Sequence, residues 1–185
     1  MSEWFETLDG VLDQVWSRLS RGVADRRAPA RQPTFATISP HGWPEARTVV
    51  LRRAERAEAV LKVFTDLGSG KIASLRAAPL AALHVWEPSP RLQIRVQAEV
   101  EILSGDAVAE RWDHLTPEGR TSYGCVPPTG TPIGEALAYE KTSDQAAFAV
   151  LQCRAVSIDA VHLGEVHRRA LYRREDGWAG EWLAP

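Results

Sequence analysis

A mainly β fold, a barrel of antiparallel strands with helices at its periphery, is the class this sequence predicts, and three observations carry it. From Thr34 onward, hydrophobicity alternates with a period of two, which puts successive side chains on opposite faces of a strand. The alternating runs follow each other through short turns such as Pro40-His41-Gly42-Trp43-Pro44 and Glu175-Asp176-Gly177, which argues for antiparallel pairing. Their even spacing argues for closure of the sheet, which protects strand edges.

The first 33 residues follow another period. Trp4, Phe5, Leu8, Val11, Leu12, Val15, Trp16 and Leu19 recur at spacings of three and four, while Glu3, Glu6, Asp9, Asp13 and Arg18 fill the other face. This predicts an amphipathic helix of about five turns. Ser2 is placed to cap it, and the early acidic residues suit the helix dipole. Arg21 to Pro33 reads as an exposed connector. Residues 1–33 are thus expected to be a helical appendage and residues 34–185 the barrel domain.

Within the barrel, Thr34 to Ser39 and Ala46 to Arg52 predict a first hairpin, and Ala59 to Thr65 a third strand. Gly68-Ser69 offers a turn and a cap for a short helix that stops at Pro79. Leu80 to Trp86 and Arg91 to Leu103 predict a long pair, with Leu92, Ile94, Val96, Ala98, Val100 and Ile102 on one face. Ser104 is expected to cap a helix through Leu115. Residues 116–134 are rich in Pro and Gly and read as a loop. A helix is expected from Glu135 to Gln145, a strand or pair from Ala147 to Ile158, and a turn from Val161 to His167. Arg168 to Arg174 and Trp178 to Leu183 predict a last hairpin, for a total of roughly six to eight strands.

Composition bounds the function. The chain has 185 residues, 44% hydrophobic and 25% charged, which is enough apolar material for one real core. A net charge of -2 and a pI near 6.2 give no basic field for nucleic acid, which needs many cations to neutralise phosphates. Cys125 and Cys153 lack disulfide or zinc spacing and read as reduced thiols, and the histidines show no metal-site spacing, so no metal is expected. No apolar run approaches the roughly 18 residues of a membrane span. A cytoplasmic protein with neither membrane nor nucleic-acid partner is the expectation.

Candidate chemistry concentrates between Arg47 and Arg95. Arg47-Thr48-Val49-Val50-Leu51-Arg52, Phe64-Thr65-Asp66-Leu67-Gly68-Ser69-Gly70-Lys71 and Arg91-Leu92-Gln93-Ile94-Arg95 place cationic and hydroxyl side chains at strand ends and a helix start. A phosphate can be held there by a guanidinium fork, an ammonium and hydroxyl donors. In the same order with Trp86-Glu87-Pro88, Leu171-Tyr172-Arg173-Arg174 and the closing Leu183-Ala184-Pro185, these motifs resemble the pyridoxamine 5'-phosphate oxidase family and its relatives. The resemblance covers nearly the whole chain after residue 30.

What it implies is a six-stranded antiparallel split β-barrel that dimerises and holds FMN in clefts between the subunits. By the resemblance, Arg47 and Lys71 grip the FMN phosphate with Ser69 and Gly70 beside them. Thr48, Val49, Val50 and Leu51 present strand backbone to the flavin, Phe64 and Thr65 line the cleft, and Gln93 hydrogen-bonds the cofactor. Arg52 stands where the family commonly has Lys and would face substrate. His167 and Arg169 fall on a His-x-Arg pair that meets substrate and FMN.

There are departures. The stretch matching the family's substrate-phosphate pocket contains Trp112, Thr116 and Arg120, so that pocket is not expected to be reproduced, and Glu165 reverses a family charge. An FMN-dependent oxidoreductase with an altered small-molecule substrate pocket is the leading expectation, with no residue marked as acid or base. The alternative is a flavin-binding protein for storage or sensing. Haem or a deazaflavin in place of FMN is a weaker third reading.

Overall fold

The computed structural model describes residues 3–185, so the cap expected from Ser2 lies outside the described residues. The chain opens with a 3-10 turn at Trp4–Glu6 and helix α1 at Leu8–Ala24, then a 3-10 turn at Pro29–Arg31. Strands β1 (Thr34–Ile38), β2 (Pro44–Thr48), β3 (Leu51–Glu55) and β4 (Val60–Asp66) lead to helix α2 (Gly70–Ala77). The hairpin of β5 (Leu80–Glu87) and β6 (Leu92–Ser104) precedes the short helices α3 (Ala109–Asp113) and α4 (Pro117–Arg120). A small pair, β7 (Cys125–Val126) and β8 (Glu140–Lys141), stands apart. The chain ends with β9 (Phe148–Leu163), β10 (His167–Arg173) and β11 (Glu181–Leu183).

All the pairings are antiparallel, along the path β11-β10-β9-β6-β5-β1-β2 with β3 and β4 joined through β9. This is the split barrel, and β9 is where it splits. One edge of β9 pairs β6 from Ala149 to His162. Its other edge pairs β4 through residues 148–154 and β10 through residues 157–163. Between the two sets the β6 register shifts, and the Val156 carbonyl accepts from the Arg174 amide instead. A single 16-residue strand therefore replaces the shorter strand expected at 147–158, and the turn contracts to residues 164–166.

The largest correction concerns the N-terminus. Val11, Leu12, Val15, Trp16 and Leu19 are buried in the same cluster as Phe35, Leu51, Leu61 and Tyr172 of the barrel, so α1 is part of the core and no appendage. The Tyr172 hydroxyl donates to the Leu8 carbonyl at 2.7 Å. Gly22 allows the close crossing, since a Cβ there would sit 2.6 Å from the Ala30 carbonyl carbon. The cap is Thr7, whose Oγ1 accepts from the Gly10 amide at 3.0 Å.

Other differences are local. The expected strand 46–52 breaks at Val49-Val50, where the Val49 amide turns to the Pro33 carbonyl and β3 leaves to pair with β4. The helix expected at 135–145 does not form, because its only large apolar groups at the start, Leu137 and Tyr139, find no core to pack on and remain exposed. Ser69 and Ser104 precede helical turns but make no side-chain cap bond.

Candidate functional site

Arg47 lies on β2 opposite Phe35 of β1. Its guanidinium donates to the Thr37 hydroxyl at 2.7 Å and to the Phe35 and Glu45 carbonyls, and pairs with the half-exposed Glu45 carboxylate at 2.8 Å. Lys71, in the first turn of α2, is near enough for the Arg47 charge to act on it. The Lys71 ammonium donates to the Thr65 and Ser69 hydroxyls at 3.0 and 3.1 Å. Ser69 in turn donates to the Asp66 carbonyl at 2.7 Å. No carboxylate among the described residues comes within ion-pair distance of Lys71. Burial holds its pKa below the ordinary lysine value, and nearby Arg47 pushes it the same way, against a weaker pull from Asp66.

The arrangement is a partly desolvated ammonium with hydroxyl partners and no ion pair, near enough to Arg47 for the two cations to repel. Such a cluster needs an anion to offset the charge repulsion. A Cβ built on Gly70 meets nothing within 4 Å, so the approach over the first turn is open.

Asp66 braces this cluster from behind. Its carboxylate accepts from the Gly68 amide at 2.7 Å and from the Gly124 amide at 2.8 Å, tying the α2 turn to the β7–β8 segment. Sequence inspection missed this link, which spans 58 residues and has no local signal.

Arg52 and Phe64 form a second group. The Arg52 guanidinium lies 5.5 Å from the Phe64 ring centroid, on the side where Tyr123, Phe148 and Trp112 pack edge to face. Arg120 stacks 5.3 Å over Trp112. The Nε atoms of both arginines are buried with no hydrogen-bond partner among the described residues. Burial pushes the Tyr123 phenol up, with Arg52 acting against it. Tyr123 joins from a segment read only as loop. Trp112 and Tyr123 thus pack with Phe148 in a second buried cluster, with Phe64 against it and the Arg52 and Arg120 guanidinium groups over its rings.

The strand break brings Val49 and Leu51 into the core, with Val50 half-buried and Thr48 exposed at the end of β2. Val49 and Leu51 can therefore offer backbone to a ligand but little side-chain surface.

Gln93, His167 and Arg169 lie elsewhere. Gln93 is on β6, two strands beyond β1, and the other two are on β10, four strands beyond it. None of them shares a hydrogen bond or ion pair with Arg47 or Lys71 among the described residues. Arg169 is engaged by Asp159, its Nε and Nη2 donating to the two carboxylate oxygens at 3.2 and 2.8 Å, and Arg95 pairs with the same carboxylate. These contacts raise the Arg169 pKa further. Asp159, almost fully buried on the sheet's outer face, is a second residue that sequence inspection missed. Among the described residues, no group of three or more His, Cys, Asp or Glu side chains is arranged to hold a metal ion, and no helix is long and apolar enough to cross a membrane.

Comparison with known proteins places this geometry. A pyridoxine/pyridoxamine 5'-phosphate oxidase of Microcystis aeruginosa is 41% identical over 86 residues, 46% of this chain and 39% of that protein. One from Thermosynechococcus vestitus is 30% identical over 152 residues, 82% of this chain and 62% of that protein. The chain thus spans less than two thirds of either relative. The crystal structure of a pyridoxamine 5'-phosphate oxidase-related, FMN-binding protein of Nostoc punctiforme superimposes with a TM-score of 0.77 at 26% identity, covering 94% of this chain and 96% of that one. The family model described as pyridoxamine 5'-phosphate oxidase, FMN-binding domain, matches residues 4–104, more than half of the chain and including both the Arg47 and the Lys71 motifs. By that match, the chain belongs to the pyridoxamine 5'-phosphate oxidase family through its FMN-binding domain.

Proposed function

We propose that this protein is an FMN-dependent oxidoreductase acting on a small anionic substrate, and that it works as a cytoplasmic homodimer. The observation that carries the reading is the Arg47–Lys71 pair, in which a partly desolvated ammonium has hydroxyl partners but no ion-paired carboxylate among the described residues. A phosphate monoester supplies the missing charge, and Arg47 would exchange Glu45 for it. Bound FMN would supply two-electron hydride chemistry. Thr65, Ser69 and Gly70 hold the phosphate end, while Thr48, Val49, Val50 and Leu51 present backbone, and Phe64 an aromatic wall, along the cleft. Arg52, with Arg120 and Tyr123, orients the anionic end of the substrate.

Gln93, His167 and Arg169 reach the cofactor only from a second copy, because the sheet carries them away from the cradle in their own chain. An apolar groove of about 370 Å³ on the outer face of the sheet, lined by Ala36, Ile38, Pro44, Leu80, Ala82 and Val156, supports that pairing. One observation favours the alternative of flavin binding without turnover: Asp159 already occupies the Arg169 guanidinium, leaving His167 as the free member of that pair.

Purification and an absorption spectrum test the reading. The wild type is expected to carry FMN as a dimer, and Arg47→Ala with Lys71→Ala to lose the yellow colour while staying folded. A colourless wild type whose melting temperature does not respond to FMN overturns it. Oxygen uptake with candidate anionic amines separates the oxidase from the storage protein.

A further inference from the structure

His162 sits at the far end of β9, opposite Leu92 and Arg168 in register, and is 8% exposed. Its ring is clasped by the 3-10 turn that opens the chain. Phe5 stacks on it at 4.6 Å with planes 13° apart, and Trp4 meets it edge-on at 5.0 Å. The Arg168 guanidinium also lies over the Phe5 ring, 4.5 Å from its centroid. Gly164 closes the other side, where a Cβ would stand 2.6 Å from the imidazole Cε1. Sequence periodicity counted Trp4 and Phe5 as the first turn of the helix, but they turn away from it to cover this histidine.

The clasp favours the neutral ring over the charged one. Nδ1 is buried with no hydrogen-bond partner among the described residues. A proton placed there has no acceptor, and a buried unpaired N–H carries the full desolvation cost. The charged groups acting on the ring are Arg168 and His167 from β10 and Arg91 from the β5–β6 turn, all of one sign. Glu3 and Glu6 of the docked turn and Glu165 of the β9–β10 turn make no hydrogen bond to it: the Glu6 carboxylate accepts from the Glu3 amide instead. Burial is the largest influence lowering the His162 pKa, the three cationic neighbours add to it, and only the Pro90 backbone opposes.

We propose that His162 is a proton-operated latch, whose neutral ring holds the Trp4–Phe5 turn against the end of the barrel and whose protonated form lets it go. The folded state disfavours the proton relative to a free histidine, which titrates near pH 6.5. The docking free energy is thus complete above that value and is lost as the pH falls through the lower, clasped value. Release uncovers Arg168 and the β9–β10 end beside His167, while α1, held by its own buried face and by Tyr172, stays in place. The inference does not depend on FMN.

Hydrogen exchange of the full chain at pH 7.5 and pH 5, corrected for the intrinsic rate, reads the latch directly. The Glu6 amide, hydrogen-bonded to the Glu3 carbonyl in the docked turn, is expected to exchange at least about tenfold faster at pH 5 while the amides of residues 11–19 stay protected. His162→Phe retains a stackable ring that cannot take a proton, and its Glu6 amide should be equally protected at both pH values. Equal pH-dependent release in that variant, or no release in the wild type at pH 5, overturns the proposal. Should the variant not fold, histidine NMR of the wild type decides: the His162 titration must coincide with loss of its contacts to Trp4 and Phe5, and titration with the contacts kept refutes the latch.

Discussion

The Lys71 ammonium lies 3.0 Å from the Thr65 hydroxyl, and no carboxylate among the described residues comes within ion-pair distance of it. Without a bound anion, Lys71 is thus expected to be a liability rather than a stabiliser. Lys71→Met is therefore expected to leave the melting temperature of ligand-free protein unchanged or raised. The same variant should weaken FMN binding by about 1.5–3 kcal/mol, the usual worth of a hydrogen bond to a charged group, or roughly 10- to 150-fold. Thermal melts with and without FMN separate the two effects.

Helix α1 offers a test of the core. Leu19 is almost completely buried among barrel residues, so Leu19→Ala should cost about 2–5 kcal/mol, as large-to-small changes do in cores. For a chain of this length that is a fall in Tm of roughly 5–15 °C. An appendage would lose almost nothing. Denaturant and thermal unfolding measure it.

Glu87 is buried and accepts from the Ala30 amide, and burial pushes its carboxyl up despite that bond and the pull of Arg18 and Arg21. A carboxyl raised in the folded state gives its full stability below the unfolded value of about 4.3 and loses it as the pH rises through the folded value. Glu87→Gln keeps the acceptor without the charge. It should melt above the wild type at pH 8, with the gap closing toward pH 4.

The two thiols should react differently. Cys153 is fully buried and its thiol is pushed up to about 12, whereas Cys125 is half-buried in the β7–β8 segment. A thiol reagent at pH 8 is expected to label one cysteine in native protein and both in urea. Rapid labelling of both without denaturant would contradict the packing of β9.

What was legible in the sequence was whatever is carried locally. The hydrogen bonds among Thr65, Ser69 and Lys71 could be anticipated because the three residues lie within seven positions around the start of one helix. The barrel class followed from the alternation of β5 and β6, whose inward residues Leu83, Val85, Leu92, Ile94 and Val96 are all buried. The misreadings have a common cause in tertiary partners. The apolar face of α1 could not reveal that it packs on Phe35 and Tyr172 rather than on solvent or another chain. The length of β9 depends on two different strands sharing one edge. The buried cluster around Tyr123 depends on Phe64, Trp112 and Phe148 from three separate segments.

The position of β9 also governs how the chain can be made. Strand β4 emerges early in synthesis, yet the partner of Asp66 is Phe148, 82 residues later. Until then β4 has only β3 beside it, and the outer edge of β6 is likewise bare. Two edges must therefore wait, exposed, for one late strand, which then closes the β4 side, the β6 side and the β10 return together. A ribosome stalled or a chain truncated before residue 148 would release a product with two open apolar edges, the kind of species that aggregates or recruits chaperones.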